Sequence, residues 1–467
     1  MNKRIPIMTA LMLAWSHPST AVQLNPNGLG EVLIFPYYTV NNGLNTLYSV
    51  VNTTDQPKAI KISFHEADVG LDVLTYQVYL SSYDVWSAAL VPYVSSIPGH
   101  VNEPSAIHVS ADTSCAPFLN KAGQEFLPYV IDEDLNPANR SLARAREGYF
   151  LAIEMATLTG DAAGFVDHGP IGVPANCAAI QNTWNVGEWL LDPWAAPGGG
   201  LTGSAFLVNV GEGLSLSYDA LALQNFWAQA GDLTEPGLLT PDLNSGSTES
   251  RVLLSDGTLA ISEWANGYEA VSAVLMKAEL VNEYSRDAII DGKTDWVVSF
   301  PTKSFHVNQV GEAVAPFGTI WDGAQSCDVY QAMLYDRAEM AFVNNSCCLD
   351  PPPPRPAVPE FCYSGNVIEL LLPGEQPGPT TPVLQSDNLS LVLGYDDFRK
   401  TENGWGKLSF YGEGMLMTPL SGVGFRGLPA TGFAVQQFTN GSAAQGLLAQ
   451  YGNLFKHQGQ VVVTEEL

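Results

Sequence analysis

From Glu31 to Leu90 apolar and other residues alternate along the chain. Ile60, Ile62 and Phe64 alternate with Ala59, Lys61, Ser63 and His65, and Leu74, Tyr76, Val78 and Leu80 with Thr75, Gln77, Tyr79 and Ser81. A period of two sends successive side chains to opposite faces, so these segments predict strands with one face in a core and the other in water. Asn52–Pro57 carries turn chemistry between strands expected over 46–51 and 58–64. Phe206–Val210 and Leu214–Tyr218 flank Gly211-Glu212-Gly213, whose glycines permit the positive φ of a tight hairpin. Phe410-Tyr411 and Met415–Met417 flank Gly412-Glu413-Gly414 in the same way. Trp296–Phe300, closed by Pro301, reads as a further strand. Short strands separated by turns predict a mainly β fold of two or more antiparallel β-sandwich modules, immunoglobulin-like, with a few short helices. No cysteine lies in the first alternating region, so a sandwich there must hold without a disulfide.

Helices are expected at Ala220–Ala230, after Asp219 as N-cap, and at Ser442–Leu454, with one or two turns at Asn139–Glu147. An apolar strand, an Asn-containing turn (Asn52-Thr53-Thr54, Asn282-Glu283-Tyr284) and a second strand recur, a faint parallel that hints at related modules. Pro236–Ser250 and Pro373–Pro382 have linker composition, and Pro351–Pro356 predicts an extended polyproline segment. The expected organisation is a leader over 1–21, a sandwich module over 22–105, a β-rich region with a disulfide over 106–235, a linker over 236–250, and a second β-rich region over 251–467.

Asn2-Lys3-Arg4, the apolar run Ile5–Trp15 and the small residues Ser19-Thr20-Ala21 have the order of a secretory signal peptide cut after Ala21. The run is too short for a permanent span. An exported protein is therefore expected, in the periplasm, at the cell surface or outside, with no membrane insertion after cleavage. Charge is lopsided: 20 Lys+Arg against 48 Asp+Glu give −28. Loss of Lys3 and Arg4 with the leader leaves 18 against 48, or −30. Such a surface repels phosphate backbones, which argues against nucleic acid as a partner. An envelope or extracellular protein or a polysaccharide is the expected partner class.

Six cysteines, Cys115, Cys177, Cys327, Cys347, Cys348 and Cys362, are an even number suited to disulfides in an oxidising compartment. Their clustering favours Cys115–Cys177. Adjacent Cys347 and Cys348 would be strained as a pair, so each is expected to join Cys327 or Cys362. No zinc spacing is present, and the histidines His65, His100, His108, His168, His306 and His457 are scattered.

Patterns for a nucleophile elbow, a phosphate-cradling loop or a zinc protease are absent, and His65-Glu66 reads as a surface pair at a strand end. No catalytic residue and no cofactor is expected; calcium is the one cation the acidic stretches could take. Asp132-Glu133-Asp134, Asp291–Asp295 and Asp396-Asp397 offer hard oxygen ligands without EF-hand spacing. Trp184, Trp189 and Trp194 lie within eleven residues and would form a carbohydrate platform if exposed, although packing between sheets is the commoner fate of such rings. Arg140, Arg144 and Arg146, followed by Glu147, read as a solvated or internally paired basic face.

Gly30–Tyr38 (GEVLIFPYY), Tyr79–Trp86 (YLSSYDVW), Arg146–Tyr149 (REGY) and Thr294–Lys303 (TDWVVSFPTK) together resemble a family of secreted proteins of Gram-negative bacteria that has no assigned activity. The resemblance spans nearly the whole chain after the leader. It implies export and one recurring architecture, and it carries no mechanism. The expected function is a non-enzymatic structural or ligand-binding role. A secreted carbohydrate-active hydrolase and a calcium-stabilised surface component are the alternatives.

Overall fold

A computed structural model describes residues 21–170, 172–187, 194–308, 310–337, 341–342, 359–371, 378–393, 402–412, 414–444 and 447–466. The leader up to Thr20, Trp189, Cys347, Cys348, the Pro351–Pro356 run and Asp396-Asp397 lie outside the described residues. The first module is built from β1 (Val32–Thr39), β2 (Asn45–Asn52), β3 (Lys58–Glu66), β4 (Asp72–Leu80), β5 (Val85–Val94), β6 (Pro104–Val109), β7 (Glu147–Leu158), β8 (Leu201–Asn209), β9 (Leu214–Asp219) and β10 (Leu221–Gln224). One sheet has the order β10-β1-β7-β3-β4 and the other β9-β8-β2-β5-β6. The sheets therefore draw on residues from 32 to 224, and the expected boundary at 105 falls inside them.

The second module repeats this arrangement. Its strands are β11 (Glu279–Ser285), β12 (Lys293–Ser299), β13 (Gln331–Asp336), β14 (Ala341–Phe342), β15 (Gly365–Leu371), β16 (Leu389–Leu393), β17 (Asn403–Ser409), β18 (Thr431–Ala444), β19 (Leu447–Lys456) and β20 (Gln458–Gln460). The sheet orders are β20-β11-β17-β13-β14 and β19-β18-β12-β15-β16, so each strand matches the one ten places earlier. One difference is direction: β6 runs antiparallel to β5, whereas β16 runs parallel to β15.

A side-chain tie recurs at the same place in both modules. Thr46 Oγ1 accepts from the Thr39 N–H (3.0 Å) and donates to the Thr39 carbonyl (2.8 Å), where the chain crosses from β1 to β2. Thr294 Oγ1 does the same with Ser285 (2.9 and 2.8 Å), between β11 and β12. The recurring unit is thus a pair of strands joined by an arch and locked by a threonine. The faint sequence parallel was in the wrong register: Asn282-Glu283-Tyr284 lies inside β11, not in a turn.

Between the sheets of the first module, Phe35 stacks on Phe150 (4.1 Å) and Tyr48 meets Phe64 and Phe150 edge-on. Trp296 holds the matching position in the second; a Cβ on Gly406 of the facing sheet would lie 2.8 Å from its ring, so glycine makes the room. No disulfide joins the facing sheets among the described residues.

Strands β3 and β4 were expected to expose one face, yet nearly all of their residues are buried. The reason is a third layer. Phe226, Trp227, Leu243 and the helix Gly267–Leu275 cover Val32, Ile34, Leu151 and Ile153. Ile180 and Trp184 of another helix, Cys177–Val186, pack with Ala59, Tyr79 and Met155. Lys61, on the face expected to meet water, donates to the carbonyls of Leu239 and Pro241 (2.8 Å to the latter). The linker expected over 236–250 is thereby pinned to the sheet.

Three local expectations are overturned. Ala220–Ala230 begins as β10 and continues irregularly, because Ala222 and Leu223 pair with Leu33 and Val32 of β1. Ser442–Ala444 and Leu447–Leu454 belong to the long β18–β19 pair rather than a helix. The hairpin expected at Gly412–Gly414 does not form: β17 ends at Ser409 and Leu416–Met417 pairs with Ser421–Arg426. The Gly211–Gly213 hairpin does form, with Asn209 opposite Leu214. Asn139–Glu147 supplies one short 3-10 turn, Leu142–Arg146, and a second, Pro137–Asn139, leads into it.

Cys115 is bonded to Cys177, fixing the first turn of that helix to the chain beside Tyr79. The second expectation is corrected: Cys327 is bonded to Cys362, not to Cys347 or Cys348. Lys303 stabilises the neighbourhood of this bond, its buried ammonium donating to the carbonyls of Ser326 (2.6 Å) and Phe361 (3.2 Å). Non-reducing peptide mapping should yield linked fragments for 115–177 and 327–362; a fragment joining Cys347 or Cys348 to either Cys327 or Cys362 would contradict this arrangement. No described helix is long and apolar enough to cross a membrane.

Candidate functional site

A cleft of about 800 Å³ opens where the two modules and the connecting segment meet. Its walls come from the segment Gln23–Gly28, the β9–β10 corner, a hairpin (Glu249–Leu253 with Leu259–Glu263), and β18–β19. The volume lies in the range of about 300–1,000 Å³ usual for small-molecule sites.

The cleft reverses the sign of the protein's charge. Arg251, Lys277 and Lys456 line it, against a single carboxylate, Asp219. In a chain with 48 acidic and 20 basic residues, the opposite balance is expected of any random surface. None of the three cations belongs to an ion pair among the described residues, and the buried Nε of Arg251 has no hydrogen-bond partner. Burial, with the adjacent Lys456 charge, pushes the Lys277 ammonium below its ordinary value. An anion in the cleft would relieve both costs. The remote carboxylates oppose it weakly, because at physiological salt fields decay over about 8 Å.

A second polar cluster is largely buried and joins the modules. Arg144 Nε contacts Glu66 (3.0 Å) and its Nη2 faces Asp68 (3.3 Å). Glu66 also accepts the N–H groups of Asp68, Val69 and Leu71. From the second module, Asn388 donates to Asp68 (3.0 Å) and Ser386 to Glu147 (2.9 Å), while Tyr37 donates to Glu147 from the first (2.5 Å). Asp295 is fully buried and accepts from Val383 and Leu384, and burial pushes its carboxyl up to about 6. Glu147 is pushed up to about 7, mainly by burial. These groups hold the modules together, and most of them are buried. His65-Glu66, expected at the surface, is therefore interior, and Arg144 is the internally paired member of its basic run.

The other candidates do not converge. Trp184 is 7% exposed and donates to the Tyr79 hydroxyl (2.8 Å), so it presents no face to a sugar. Trp194 is half-buried in a short strand against Leu158. Asp132 contacts His100 (3.2 Å) and Asp291 contacts Lys293 (3.4 Å), while Asp295 turns inward, so the two described acidic stretches gather no shared ion site. His108, His306 and His457 are buried apart, with burial lowering each imidazole to about 3, 4 and 4 respectively. Among the described residues, one grouping has metal-ligand spacing, Cys327, Glu360 and Cys362, and the disulfide occupies both sulfurs.

Sequence reasoning missed the three cleft cations because 26 and 179 residues separate Arg251 from Lys277 and Lys277 from Lys456. A usable signal existed: Lys277 is the lone charge ending the apolar run Ala270–Met276. Compared with known protein families, curated proteins and solved structures, the chain matches none of them.

Proposed function

We propose that this is an exported, non-enzymatic binding protein whose ligand site is the cleft between its duplicated sandwiches. One observation carries the reading: a concave site of small-molecule size in which three cations meet a single carboxylate. Binding needs such unsatisfied groups, whereas glycoside cleavage needs two carboxyls about 5–10 Å apart. The secretory-type leader, the two disulfides and the resemblance to secreted Gram-negative proteins support a role in the periplasm, at the surface or outside the cell.

Two measurements test this. Expressed with its leader, the protein should be recovered outside the cytosol beginning at Val22; an uncleaved cytosolic product would remove export. A small-molecule extract of cell envelopes should raise the melting temperature of the wild type but not of Ser217→Trp, in which an indole occupies the cleft wall. No shift, or equal shifts in both, would end the binding reading.

A further inference from the structure

The cleft's cations alternate with leucines, and the alternation identifies the kind of molecule that fits. Arg251 and Leu253 are two residues apart on one strand, so they share a face. Leu259 stands directly opposite Leu253, and the two side chains are 65% and 55% exposed, unusual for paired leucines. Lys456 and Leu454, on β19, repeat the same two-step spacing on another wall. Lys277 is more buried than Lys456, and buried Val274 and Phe433 line the same cleft.

Each wall therefore offers a positive charge beside an apolar surface. Free inorganic anions would satisfy the cations and leave the leucines wet; neutral lipids would do the reverse. Resting on the binding reading above, we infer that the cleft holds a free amphiphilic anion: a carboxylate or phosphate head among Arg251, Lys277 and Lys456, with a single apolar chain along Leu253, Leu259 and Leu454. Arginine suits the head because its planar fork matches carboxylate and phosphate oxygens. Each apolar methylene buried adds about 0.8 kcal/mol, so a short chain suffices for useful affinity.

The test is calorimetric titration of the mature protein with monomeric dodecyl phosphate, inorganic phosphate and dodecyl maltoside. Dodecyl phosphate should bind one to one, with affinity falling as salt rises. Arg251→Gln and Lys277→Gln should each weaken it about tenfold or more while circular dichroism stays unchanged, because a charge-assisted contact is worth about 1.5–3 kcal/mol. Leu253→Ser should weaken dodecyl phosphate and leave any inorganic phosphate binding unchanged. Equal affinity for dodecyl maltoside, or no effect of Arg251→Gln, would overturn the anionic head. Equal affinity for inorganic phosphate would overturn the apolar chain. Co-sedimentation with phosphatidylglycerol vesicles without binding of the monomeric ligand would overturn the free-anion assignment. If neutral amphiphile binds and Ser217→Trp blocks it, the cleft remains a ligand site and only the anion inference fails.

Discussion

Arg144→Met is expected to destabilise the protein by about 3–5 kcal/mol, the usual effect of removing one partner from a buried ion pair. Glu66 is fully buried and Arg144 nearly so, so water cannot replace the lost guanidinium. Three backbone N–H groups still hold the Glu66 carboxylate, which places the loss toward the lower end. The effect extends beyond one pair. Residues 67 and 68 form one contact strip with the second module, the Ala67 and Asp68 carbonyls accepting from Gly365 and Ser364 (2.7 Å each). Urea unfolding should show a lower midpoint, and Glu66→Gln added to Arg144→Met should restore part of it, since a neutral amide needs no counter-charge. A loss below about 1 kcal/mol would show that the junction does not depend on this pair.

The mainly β character was legible because alternation is a local signal. Strands β2, β3, β4 and β12 lie where the pattern put them, and the Gly211–Gly213 hairpin follows from its glycines. What the pattern could not reveal was the third layer. Lys61 reads as a water-facing residue until Leu239 and Pro241, 178 and 180 positions away, bring carbonyls to its ammonium. Helix propensity misled at Ala220–Ala230 for the same reason: pairing with β1 outweighs the few tenths of a kcal/mol by which those residues favour a helix. The duplication left only a faint hint because the modules share topology and the Thr46/Thr294 tie while their core residues differ, Tyr48 against Trp296. The cleft is the least legible element. Its three cations come from three separate stretches, and the clues were the scarcity of positive charge and the place of Lys277 at the end of the apolar run Ala270–Met276.

Stability should also respond to Glu147 in a direction opposite to that of most carboxylates. Its folded carboxyl titrates at about 7 against an ordinary 4.5, chiefly through burial, with Asp387 and Asp68 adding to the rise and the Tyr37 and Ser386 hydrogen bonds opposing it. Between those values the folded protein keeps a proton that the unfolded chain releases. Its contribution is therefore complete below pH 4.5 and is lost as pH rises through 7, a change of about 3 kcal/mol. Asp295, pushed up to about 6, adds a smaller effect of the same sign. The buried imidazoles of His108, His306 and His457 act the other way, losing stability as pH falls below their ordinary 6.5, so the wild-type curve alone mixes the two. Glu147→Gln separates them: its amide oxygen can accept from Tyr37 and its nitrogen can donate to Ser386, and it carries no charge at any pH. The variant should match the wild type at pH 4.5 and exceed it by about 3 kcal/mol at pH 8, measured by urea unfolding. Parallel stability curves for the two proteins would mean that Glu147 titrates alike in the folded and unfolded states, and that the junction tolerates its charge.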